Sequence, residues 1–93
     1  MIPVNQFLPG SLASLLRNAP LSPEKVAFAW RTAVGAAVER ATDVTLDTDG
    51  TLRVVAREPS WEREILRSQP MILPRLQALL GEDVVRKIEV RSA

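Results

Sequence analysis

Residues 43–57 read DVTLDTDGTLRVVAR, and this stretch decides the fold. Asp43 to Thr48 alternates, with Val44 and Leu46 on one face. Thr51 to Arg57 alternates too: Leu52, Val54 and Ala56 share one face, and Arg53, Val55 and Arg57 share the other. Period-two alternation is the mark of a strand with one buried side. Asp49-Gly50 between the two runs predicts a tight primed turn, because such turns need positive φ. The stretch therefore reads as a β-hairpin.

Upstream lies a helical pattern. Ser22 is a good N-cap, Pro23 suits the first helical position, and Glu24 complements the N-terminal dipole. Val26, Trp30, Val34, Ala37, Val38 and Ala41 recur at spacings of three and four, so one helix is expected from residue 22 to about 41. Gly35 falls inside it, at about 1 kcal/mol relative to alanine. Such a glycine often signals close approach of another backbone. Before this helix, Ser11 to Asn18 is expected as a short helix with Leu12, Leu15 and Leu16 on one face.

Downstream, Pro59 closes the strand and Ser60 is expected to cap a helix from Trp61 to about Ser68. Pro70 then interrupts or restarts it. Met71, Ile72, Leu73, Leu76, Leu79 and Leu80 form an apolar stripe that Gly81 terminates. Val84 to Arg91 reads as a last strand, with Val84, Ile88 and Val90 facing one way and Val85, Lys87, Glu89 and Arg91 the other. The order is a short helix, then α-β-β-α-α-β. The expected fold class is α+β: a three-stranded sheet with helices on one face. Its open face would carry Arg53, Val55, Arg57, Lys87, Glu89 and Arg91.

Ninety-three residues suit one domain, here an N-terminal segment (1–20) and a core (22–91). The chain has no cysteine and no histidine, which removes disulfides, thiol nucleophiles, the commonest metal ligand and the usual general base. No phosphate-cradling GxxxxGK[ST] motif occurs, no apolar run reaches membrane-spanning length, and no signal peptide opens the chain. Twelve Lys+Arg against eleven Asp+Glu leave a net charge of +1, so any nucleic-acid contact must come from local clustering. Among the twelve, only Lys25 and Lys87 are lysines; arginine's planar fork suits phosphate.

Trp30 followed by Val34-Gly35 and Val38, then Asp49-Gly50 with Leu52 and Val54, Ser60-Trp61, Leu73, Leu76, Gly81 and Ile88-Glu89-Val90 resembles the DciA family. The resemblance covers roughly residues 22–91. It implies a KH-like fold of type II and an ATP-independent loader of the bacterial replicative helicase, a DnaB-type hexamer, that also binds DNA. It thus implies a cytoplasmic, nucleoid-associated protein with no cofactor. One departure concerns the GxxG clamp of KH domains. The corresponding junction here is Arg67-Ser68-Gln69-Pro70, without glycine. The chain ends at Ala93 without the long basic extension of some relatives, so binding is expected of the domain itself.

Arg53, Arg57, Arg63, Arg67, Lys87 and Arg91 are the candidate DNA-contact residues. Four of these arginines fall within about fifteen positions, with Glu58, Glu62 and Glu64 nearby to offset them. Trp30 belongs to an apolar stripe and is expected in the core. Trp61, at a helix start, divides between packing and contact with the helicase. Aromatic residues make up only 4% of the chain, too sparse for a base-stacking platform, so DNA contact is expected to run through the backbone. Asp43, Asp47 and Asp49 alternate, but no second cluster or base accompanies them, so no metal site is assigned. The alternatives are a KH-like RNA-associated module and, less favoured without His or Cys, a small enzyme.

Overall fold

The computed structural model describes residues 18–93. Apart from Asn18, the expected helix over 11–18 lies outside these residues, as does segment 1–10.

Helix α1 spans Pro23–Val34. Ser22 caps it as expected: its hydroxyl accepts from the Lys25 N–H at 3.1 Å, and Pro23 takes the first turn. Its buried side carries Val26, Ala29, Trp30 and Ala33. The single helix expected to residue 41 is in fact two. Gly35 stands at φ 92°, ends α1 through its N–H to the Arg31 carbonyl at 2.8 Å, and precedes α2 (Ala36–Arg40). Nothing lies within 4 Å of where its Cβ would be, so glycine is needed for its backbone angle and not for close packing. Arg75, from a later helix, donates to the Ala33 carbonyl at 3.2 Å and satisfies one of the groups the break exposes.

The break makes Gly35 testable. Within a continuous helix, Gly35→Ala would add about 1 kcal/mol of stability. At φ 92° the methyl is strained, and the expected result is a loss of about 1–2 kcal/mol in urea unfolding.

The hairpin forms from β1 (Thr42–Leu46) and β2 (Thr51–Ala56), antiparallel, with Leu46 opposite Leu52 and Val44 opposite Val54. Its turn is longer than the two-residue primed turn expected. Gly50 N–H donates to the Asp47 carbonyl at 3.1 Å, Asp47 N–H to the Thr51 carbonyl at 2.9 Å, and only Gly50 has positive φ. This is a four-residue turn closed by a glycine bulge. A two-residue turn would set Leu46 opposite Arg53 and mismatch the two faces. The longer turn keeps apolar opposite apolar.

Helix α3 runs unbroken over Pro59–Leu80, capped by Glu58 and not Ser60. Pro70 therefore neither ends nor restarts a helix, and Pro74 also sits inside it. Ile65, Ile72, Leu76, Leu79 and Leu80 are buried along one side. At 100° per residue, Pro70 and Pro74 fall 140° and 180° from Ile65, on the solvent side. The Leu66 and Pro70 carbonyls that lose their helical donors can be met by water there.

Gly81 closes α3, its N–H donating to the Gln77 carbonyl at 2.8 Å. The last strand, β3, starts at Lys87 and ends at Ser92, not at Val84 and Arg91 as expected. Val84 and Val85 belong to a turn whose N–H groups reach the Gly81 carbonyl, each at 3.2 Å. Val85 is fully buried there, and its carbonyl accepts from Gln77 Nε2 at 3.1 Å. The order is thus α-α-β-β-α-β: the helical break falls at Gly35 rather than at Pro70.

Strand β3 pairs in parallel with β2, giving the order β1-β2-β3, and α3 makes the crossover. Gly50 helps to seat β3: its carbonyl accepts from the Arg86 and Lys87 N–H groups at 2.7 and 3.3 Å. The class is α+β, with a three-stranded sheet and helices. Leu52, Val54, Ala56 and Ile88 on the sheet's inner face pack with Trp30, Ile65, Leu76 and Leu80 to form the core.

Candidate functional site

The open face of the sheet is assembled by register. Thr45, Arg53 and Glu89 form one row across β1, β2 and β3; Asp43, Val55 and Arg91 form the next. Since alternate residues of each strand point inward to the core, these side chains point outward. They line a shallow groove of about 420 Å³. Lys87 and Arg57 extend the face at its two ends. The six outward residues read from the sequence are exposed or, for Val55, half-buried.

The register also brings carboxylates among these cations. Arg53 pairs with Asp47 through its Nε and with Glu89 at 3.3 Å. Lys87 lies 3.7 Å from Glu89, and Arg57 lies 3.9 Å from Asp43. The hydrogen bond to Asp47, aided by the charges of Asp47 and Glu89, holds the Arg53 pKa above its usual value. Four cations therefore stand with three carboxylates, and the face alternates in sign instead of being uniformly basic. All these pairs are exposed, so each contributes little to stability.

The three aspartates have structural work. Asp43 and Asp47 make the pairs above, and Asp49 accepts from the Thr51 N–H at 2.9 Å. That bond holds the Asp49 carboxyl below the usual aspartate range. Among the described residues, no three potential ligands gather in a way that could hold a metal.

Arg63 and Arg67 occupy a different surface. Each is two residues from buried Ile65, about 200° around α3, so they project away from the sheet. Arg67 pairs with Glu64 at 3.4 Å. The single patch of four arginines is accordingly divided: Arg53 and Arg57 stand on the open sheet face, Arg63 and Arg67 on the outer helix layer. Among the described residues, no carboxylate lies within ion-pair distance of Arg63 or Arg91.

The two tryptophans separate. Trp30 is 1% exposed, and its indole N–H donates to Thr42 Oγ1 at 2.9 Å. That hydroxyl in turn donates to the Val38 carbonyl at 2.8 Å, linking α1, α2 and β1. Trp61, in the first turn of α3, is half-buried and stands outside the fully buried cluster. Its ring is thus partly accessible, as a contact residue requires.

Sequence reading missed Asp43 and Asp47 as partners of the arginines. The signal was present in their alternation, but using it required the correct hairpin register.

These surfaces define a small α+β binding module, with a sign-alternating sheet face and an arginine pair on a helix. No helix among the described residues is long and apolar enough to cross a membrane. A family model described as "Dna[CI] antecedent, DciA" matches residues 3–90, and the chain belongs to the DciA family. It is similar to proteins named UPF0232 from Mycobacterium tuberculosis (strain H37Rv) and Mycobacterium bovis (strain BCG / Tokyo 172). Each is 30% identical over 61 residues, which is 66% of this chain and 33% of the relative. The matched stretch is thus a third of the length of these relatives. No solved structure matches the chain.

Proposed function

We propose that this chain is a non-enzymatic, ATP-independent loader of the bacterial replicative helicase, acting in initiation of DNA replication. The observation that carries this reading is its membership of the DciA family over residues 3–90, a family of helicase loaders without catalysis. The partner is a DnaB-type hexamer, held through a protein interface that includes the half-buried Trp61. DNA is the second partner, met by arginine and lysine side chains without sequence preference, in the cytoplasm at the nucleoid. Lacking nucleotide energy of its own, the protein acts by binding one helicase state, the one that admits DNA, more tightly than the other.

Among the six candidate DNA contacts, Arg63, Arg67 and Arg91 take the leading part in this reading. Arg53, Arg57 and Lys87 share their charge with carboxylates on the sheet face. The RNA-associated alternative has no comparable support. Arg67-Ser68-Gln69-Pro70 lies inside α3, so no loop exists there to clamp a nucleic-acid backbone.

Two experiments test the reading. Trp61→Ala is expected to weaken helicase binding more than its loss of stability accounts for; a loss proportional to unfolding would remove Trp61 from the interface. Arg63→Glu with Arg67→Glu is expected to weaken DNA binding at least tenfold at low salt. It should also flatten the salt dependence, by about 0.7–0.9 in log–log slope for each phosphate that is no longer neutralised. An unchanged slope would exclude the helix arginines.

A further inference from the structure

The two edges of the sheet are finished differently. At β3, the outward Ile88 carbonyl accepts from Gln69 Nε2 at 2.7 Å, so α3 covers part of that edge. At β1, the bonds of Asp47 to Thr51 and of Arg57 to Ala41 set which residues turn toward β2. In an antiparallel ladder that property alternates, so 41, 43, 45 and 47 turn inward while Val44 and Leu46 present their N–H and C=O groups to the free edge. Beside them runs an apolar groove of about 350 Å³ lined by Leu21, Pro23, Val26, Val44 and Leu46. Leu21 is 56% exposed.

We propose that two copies of this chain associate through the free edges of β1, continuing the sheet across a two-fold axis to six strands. Charge selects both the occupant and the register. Only registers that pair outward-turned residues make hydrogen bonds. With Val44 opposite Thr42 of the second copy, Asp43 meets its own counterpart. With Val44 opposite Leu46, Asp43 meets Asp47. Val44 opposite Val44 is free of such repulsion: Asp43 faces the Thr45 hydroxyl of the second copy, twice by symmetry. The two Val44 side chains then meet on the inner side, beside Leu46. The contact is small, so association belongs to the weak class. It goes beyond the helicase reading and does not depend on it.

Sedimentation equilibrium of the full chain, from roughly 1 to 100 µM, tests the proposal. The expected result is a monomer–dimer equilibrium within that range. Thr45→Asp places carboxylates opposite Asp43 and is expected to weaken the dimer about tenfold. Within the monomer it lies opposite Arg53 on an exposed face, and an unchanged melting temperature checks that the fold is kept. Asp43→Lys combined with Thr45→Asp recreates opposite charges and is expected to restore association. A chain that stays monomeric at the highest concentration overturns the proposal. So does a dimer indifferent to Thr45→Asp.

Discussion

Trp30→Ala is expected to leave the chain largely unfolded at 25 °C. The indole is 1% exposed and lies between α1 and the sheet. Truncating a buried tryptophan to alanine costs about 3–5 kcal/mol, through reduced burial and the cavity that remains. A chain of this length has a total stability of roughly 5–14 kcal/mol. The substitution also removes a donor to Thr42, whose hydroxyl bridges to the Val38 carbonyl. Thr42→Val separates the two contributions. It keeps the volume but leaves the indole N–H buried without a partner, at about 1–3 kcal/mol. Urea unfolding followed by far-UV circular dichroism reads both. A Trp30→Ala loss below about 1 kcal/mol would mean that the indole is not the centre of the core.

The second large effect has the opposite sign. Pro70→Ala and Pro74→Ala are each expected to stabilise the protein, by about 1–3 kcal/mol. Proline inside a helix costs about 3 kcal/mol relative to alanine, since it lacks an N–H and crowds the preceding turn. Both prolines lie on the solvent side of α3, away from Ile65, Ile72 and Leu76, so alanine removes little packing. Denaturant midpoints should rise for each variant and add approximately in the double. A fall would show that the prolines set a curvature of α3 that its core contacts require.

These prolines also show why part of the fold was not legible in the sequence. Local propensity penalises proline more than glycine, so it puts the helical break at Pro70 and runs the first helix through Gly35. The structure does the reverse. Ile65 and Ile72, on either side of Pro70, are buried on one side of a continuous α3, and tertiary packing outweighs the local penalty. At Gly35 no comparable packing holds the helix: the following α2 has no buried residue. The start of β3 was hidden for a similar reason. Val85 is buried by the turn after Gly81, which mimics a strand position in a purely alternating pattern.

What alternation could carry, it carried well. The inward Leu52, Val54 and Ala56 and the outward Arg53, Val55 and Arg57 stand as the sequence indicates. The hairpin was legible, and so in principle was its register. Matching Val44 and Leu46 to Val54 and Leu52 already excludes a two-residue turn. The same match would have placed Asp43 and Asp47 near the arginines of β2. The parallel pairing of β2 with β3 has no local signal, because it depends on where α3 returns the chain. The division of the arginines between two surfaces was hidden with it.

The central claim is that this domain is a loader that holds the replicative helicase by binding alone. Sedimentation velocity or calorimetry of the purified chain with the replicative helicase of the same organism, without nucleotide, tests it most directly. The account predicts a saturable complex, weakened by Trp61→Ala beyond its effect on stability. No complex at tens of micromolar helicase would contradict it, leaving family membership to describe the chain's ancestry and not its activity.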